Sequence, residues 1–155
     1  MEGVPYNNAI KHERQLIPMK RVWNMLNHER IRAFLKGIER WDEKMLLLQL
    51  LPLEMTPSQR IVRKNTFDRS IFIVGTGEVT LFGTTQNIVL KEGGIFGCNE
   101  FLTGQKWEFD VICNWQGTLL KLSYDVFMDL VDTNSKAAAG IWKRITKWVA
   151  RDLID

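Results

Sequence analysis

Cysteine, histidine and proline are scarce in this chain, with two, two and four copies. Cys98 and Cys113 are not spaced as a metal or redox pair, and two free, partly buried thiols in a reducing cytoplasm are expected. His12 and His28 both lie in the charged N-terminal part, which leaves no local zinc motif. Long apolar runs are also missing. The longest, Met45 to Leu53, is broken by Gln49 and Pro52 and is too short to span a bilayer. Met1 to Asn8 contains Glu2 and no apolar block, so no secretory signal is read there and a cytoplasmic location is expected.

Catalytic signatures fail one by one. Gly75-Thr76-Gly77 begins like a dinucleotide fingerprint, but position 80 is Thr and the context joins strand to strand. No Gly-Lys-Ser/Thr triplet exists for a phosphate loop, and there is no nucleophile elbow. Asp132-Thr133-Asn134 starts like a calcium loop, yet Lys136 and Ala137 occupy positions that need an oxygen ligand and a glycine. A non-enzyme is expected, with no cofactor and no metal.

What the chain does have is ordinary globular content, 45% hydrophobic and 25% charged, with an uneven charge. Residues 1–64 carry 12 Lys/Arg against 7 Asp/Glu, residues 65–135 carry 4 against 9, and residues 136–155 carry 5 against 2. The middle is acidic and both ends are basic. These charges are dispersed rather than clustered, so solvated helix faces are preferred over a nucleic-acid surface.

From Lys20 to Leu51 apolar residues recur at helical spacing: Val22, Met25 and Leu26, then Ile31, Phe34, Leu35 and Ile38. Gly37 closes the second helix, and a third is expected from Lys44 to Leu51, stopping before Pro52. After Pro57 the period changes. Short strands are expected over Gln59–Lys64, Asn87–Lys91, Trp107–Cys113 and Thr118–Ser123, with a long one over Ser70–Phe82. Tyr124–Val131 and Lys136–Ile154 read as helices, the second capped by Asn134 or Ser135. The division expected is a helical extension over 1–52, a β-roll over 53–131 and a C-terminal helix over 132–155.

Within the β-roll, Phe72-Ile73-Val74-Gly75-Thr76-Gly77-Glu78-Val79 and Ile88 to Gly97 follow one another in a suggestive order. Gly104, Val111, Leu119-Leu120-Lys121-Leu122 and Phe127 come next. Together they resemble the cyclic-nucleotide-binding family, in its strand "I-x-x-G-x-V", its "G-x-x-F-G" and its closing strand. The resemblance implies a mainly β fold, a double-stranded β-helix or jelly roll with N-terminal helices and a C-terminal helix. It also implies a phosphate-binding cassette over Phe96, Gly97, Cys98, Asn99, Glu100, Lys106, Trp107 and Glu108.

Family members present helix N-terminal amides to the phosphate and a Glu after Phe-Gly to the ribose. An Arg about nine residues on neutralises the phosphate, and a small or hydroxyl residue follows it. In this chain those three side-chain positions are Cys98, Trp107 and Glu108. A thiol is a poor acceptor, an indole has one N–H and no charge, and a carboxylate repels phosphate. Losing a charge-assisted bond costs about 1.5–3 kcal/mol, and each 1.4 kcal/mol is tenfold in affinity. Cyclic nucleotide is therefore disfavoured as a ligand. Two substitutes remain open, Glu100 for the Glu and Lys106 for the Arg. If the strand has begun by Trp107, then Trp107, Phe109, Val111 and Cys113 form an apolar row, with Trp107 at the mouth of the pocket.

The last helix carries a stripe of Ile141, Ile145, Trp148 and Val149, widened by Trp142. It suits packing on the chain's own roll and self-association into a homodimer equally well. No output domain is expected after it. The leading expectation is a degenerate domain acting as a protein-interaction, scaffold or regulatory module. The alternative is a sensor of a cyclic nucleotide or another small ligand. A role in binding nucleic acid ranks third, and no membrane partner is expected.

Overall fold

Four consecutive apolar residues, Ile71-Phe72-Ile73-Val74, require a strand covered on both faces, and β3 (Ser70–Phe82) is built that way. The computed structural model describes residues 49–133 and 135–154. Ahead of β3 come β1 (Leu51–Met55) and β2 (Arg60–Val62); after it come β4 (Asn87–Leu90), β5 (Ile95–Phe96) and α1 (Cys98–Thr103). The chain continues through β6 (Asp110–Ser123), α2 (Tyr124–Thr133) and α3 (Ser135–Ile154).

The frame is the antiparallel pair of β3 and β6, in register from Ser70↔Ser123 to Phe82↔Asp110. β1 and β2 both pair with β6, while β4 and β5 both pair with β3, giving one antiparallel sheet in the order β1-β6-β3-β4. Register shifts between Val74 and Val79 bend the long pair so that the sheet curls into a β-roll. The bend depends on missing side chains. A Cβ on Gly117 would fall 2.1 Å from the Thr76 carbonyl oxygen, and Gly77 has φ +90 with the Trp115 oxygen 2.7 Å from its own virtual Cβ.

Alternation along β3 divides the core in two. Phe72 and Val74 join Leu53, Ile61, Val62, Val79, Phe96, Trp107, Val111 and Leu119 inside the roll. Ile71 and Ile73 lie on the other face with Leu120, Leu122, Phe101, Phe127, Leu130, Ile141 and Ile145, under the helices. Among the described residues, no helix is long and apolar enough to cross a membrane.

Several expected elements shift. Helix ends at Gln49, and Leu51 already belongs to a strand, because β1 pairs with β6 from Leu51↔Lys121 to Met55↔Gly117. Pro52 is tolerated there because β1 lies at the end of the strand order. The two strands expected at Trp107–Cys113 and Thr118–Ser123 are one, starting at Asp110 and running through the Asn114–Gly117 segment. Trp107 to Phe109 precede it. The helices expected before residue 49 lie outside the described residues, as does Asn134. The backbone of α3 passes through Trp148 and Val149, whose side chains are also outside them.

Candidate functional site

The segment from Phe96 to Glu108 leaves β5, makes one short helix and returns to β6. Glycines set both ends of α1. Gly97 is its N-cap at φ 92 and Gly104 its C-cap at φ 71, both left-handed. Gly97 admits no side chain, since a Cβ would stand 2.3 Å from the Ser70 carbonyl oxygen. The Phe101 amide donates to the Gly97 carbonyl at 2.9 Å and the Gly104 amide to that of Glu100 at 2.8 Å.

Trp107 does not stand at a pocket mouth. It is 1% exposed, and its Nε1 donates to the Asp68 carbonyl at 2.8 Å. Its ring centroid lies 6.2 Å from that of Phe72 and 6.1 Å from that of Phe96. Those two phenyl rings stack at 5.0 Å. The row expected with Trp107 is otherwise present. Val111 and Cys113 are buried, Phe109 is half-buried against the same cluster, and Lys106 and Glu108 are exposed.

Cys98, at the position the resemblance gives to the ribose-binding Glu, is buried in the cluster beneath the helices. Asn99 is exposed. Glu100 is only 6% exposed. Burial raises its carboxyl above the ordinary glutamate value, outweighing a hydrogen bond from its own main-chain amide, and the charge of Glu108 raises it further. Lys106 sits with Nζ 5.5 Å from the Phe67 ring centroid, and Phe67 is itself exposed. The two substitutes thus differ: Glu100 is covered and Lys106 lies on the surface. Burial also raises the Cys113 thiol, whose Sγ donates to the Trp115 carbonyl at 3.2 Å. That keeps it protonated and unreactive.

Two residues that sequence reasoning missed organise the segment. The Asp68 carbonyl accepts from Trp107 and from the Ser70 amide, while its carboxylate accepts from the Ser70 hydroxyl and lies 3.7 Å from Lys121 Nζ. Arg69 donates from Nε to the Phe101 carbonyl at 2.9 Å and from Nη2 to that of Leu102 at 3.0 Å. It thereby supplies partners for carbonyls at the end of α1. Its guanidinium lies 3.6 Å from the centre of the Tyr124 ring.

Phe101 projects from α1 into an aromatic cluster with Tyr124, Phe127 and Trp142. Ile141 and Ile145 are buried in the same core, and Trp142 is half-buried against it. These three stripe residues therefore pack on their own chain.

A model of the cyclic nucleotide-binding domain matches residues 52–134. No curated protein matches the sequence. Among solved structures, the chain is similar to a cyclic nucleotide-binding domain from Methylobacillus flagellatus, with 12% identity and a TM-score of 0.71, over 85% of this chain and 79% of that one. The catabolite activator protein of Thermus thermophilus is 18% identical at a TM-score of 0.67, over 77% of this chain and 57% of the other. The regulatory subunit of a cAMP-independent protein kinase A from Trypanosoma brucei is 18% identical at 0.69, over 88% and 47%. The chain thus matches less than two thirds of the length of the last two.

Proposed function

The chain belongs to the cyclic nucleotide-binding domain family, and from that premise we propose that it is a degenerate, ligand-independent member that works through protein contacts. One observation carries this reading. Trp107, at the position the resemblance gives to the phosphate-neutralising Arg, is buried, hydrogen-bonded to Asp68 and packed against Phe72 and Phe96. An anion there would have to displace the indole from the core and would meet no positive charge from it. Cys98 is likewise drawn into apolar packing, and Glu108 adds a negative charge nearby.

On this reading of the site the module carries no reaction of its own and acts as a scaffold or regulatory partner. Two buried cysteines that form no disulfide suit a reducing cytoplasm. With Ile141 and Ile145 buried in their own chain, self-association would have to use the exposed part of Trp142 or other residues. A small-ligand sensor would have to enlist Glu100 or Lys106, and the first is covered while the second lies over Phe67.

Titration calorimetry with cAMP, cGMP and cyclic dinucleotides tests the proposal. No heat of saturable binding is expected at micromolar concentrations. A micromolar dissociation constant for any of them would overturn the reading.

A further inference from the structure

Trp107 touches separate pieces of the molecule. Its main chain is bound on both sides to the loop between β2 and β3: its amide donates to the Thr66 carbonyl at 3.0 Å, and its carbonyl accepts from the Asn65 amide at 2.8 Å. Its Nε1 reaches Asp68 in the same loop. The six-membered ring extends the other way, under Gly97. A Cβ on Gly97 would fall 2.9 Å from Cη2 and 3.1 Å from Cζ2 of the indole. Since Gly97 is the N-cap of α1, the helix starts on the far edge of this ring.

The other end of α1 is tied to the C-terminal helices. Arg69 holds the Phe101 and Leu102 carbonyls while lying on Tyr124, the first residue of α2. The Tyr124 amide also donates to the Arg69 carbonyl at 2.8 Å. The Phe101 ring is 5.5 Å from Tyr124, 5.4 Å from Phe127 and 6.4 Å from Trp142 of α3. A six-residue helix, roughly 9 Å long, therefore stands between the indole and the seat of α2 and α3.

We infer that Trp107 acts as a resident stand-in for a ligand: an internal side chain that holds α1 against the roll and thereby fixes α2 and α3 without any small molecule. The inference rests on the ligand-independent reading above. Close-packed contacts of this kind are not continuously deformable, so removing the indole leaves the first turn of α1 without its support. The Arg69 and Phe101 contacts then have to hold an element that is loose at its other end. Contact alone does not establish coupling, so the test measures it.

The experiment is amide hydrogen exchange on the full chain, comparing Trp107→Ala with Leu53→Ala. Leu53 is fully buried in the same interior cluster, on β1. Trp107→Ala should speed exchange in α1, α2 and α3 by about tenfold or more, while the β3–β6 ladder changes no more than in Leu53→Ala. If the two variants show the same uniform pattern, or if the helices keep their protection in Trp107→Ala, the inference is overturned. Should Trp107→Ala fail to fold, Trp107→Phe keeps an aromatic ring but loses the bond to Asp68. It should show the same helix-selective loss at smaller size, and a uniform change there overturns the inference equally. The two readings fail separately. Micromolar cyclic-nucleotide binding by the unaltered protein removes the ligand-independent reading, whereas a uniform exchange pattern without such binding removes the stand-in role alone.

Discussion

Ile71 and Ile73 face the helices while their neighbours Phe72 and Val74 face the inside of the roll, and the two cores they enter are built differently. The interior is lined by strand residues and completed by Trp107, so the ladders of β3 and β6 fix most of its geometry. The outer core is closed by three helices laid on Ile71, Ile73, Leu120 and Leu122 of the sheet, with Phe101 among Tyr124, Phe127 and Trp142. Its position depends on where α1 sits. In this chain the interior is filled by its own side chain, and the outer core is held by Arg69. One sheet therefore serves two cores, the first fixed by strand pairing and the second by the placement of α1.

The largest way to break the outer core is Phe101→Ala. The side chain is fully buried between three aromatic partners, and its removal should cost about 3–5 kcal/mol in urea unfolding. A cost under about 1 kcal/mol would mean that the aromatic cluster is not a stabilising seat for the helices. Next comes Arg69→Ala, which removes two charge-assisted bonds and the stack on Tyr124 and should cost about 1.5–3 kcal/mol. Arg69→Lys should recover less than half of that loss, since an ammonium has neither the fork nor the plane. Full recovery would reduce the contact to a point charge.

A smaller, pH-dependent effect separates the cassette from both cores. The folded value of Glu100 stands above its unfolded one, so the native state holds the proton more tightly. Stability from this group is therefore present at acid pH and lost as the pH rises through the raised value, the reverse of an ion-paired carboxylate. Glu100→Gln should raise the melting temperature at neutral pH. The gain should close as the pH falls below 4.5, the ordinary glutamate value. A gain that persists unchanged at low pH would point to packing rather than charge.

Much of the roll was legible because its signals are local. The β-branched and aromatic residues of Ser70 to Phe82 marked the long strand, and Gly97 and Gly104 bracket the short helix where the resemblance puts it. β1 was read as the end of a helix because Lys44 to Leu51 carries helical spacing, and pairing with β6 overrides that preference. β6 was divided at Asn114 to Gly117 because those residues look like a turn, whereas Gly117 lets the strand bend and continue. At the site, the replacement of an Arg by Trp107 was visible in sequence, but its burial was not. That burial depends on Asp68, which lies 39 positions away, and the Arg69 contacts span 32 and 33 positions. No local pattern encodes such pairs.

Closure of the cassette by Trp107, as proposed above, leaves no place for a cyclic nucleotide. Thermal unfolding of the unaltered protein with and without 1 mM cAMP or cGMP tests it most directly. A site with a dissociation constant near 10 μM would add about 2.7 kcal/mol at that concentration, a rise of roughly 5 °C or more in Tm. Superimposable curves are expected, and a reproducible upward shift of that size with either nucleotide overturns the ligand-independent reading.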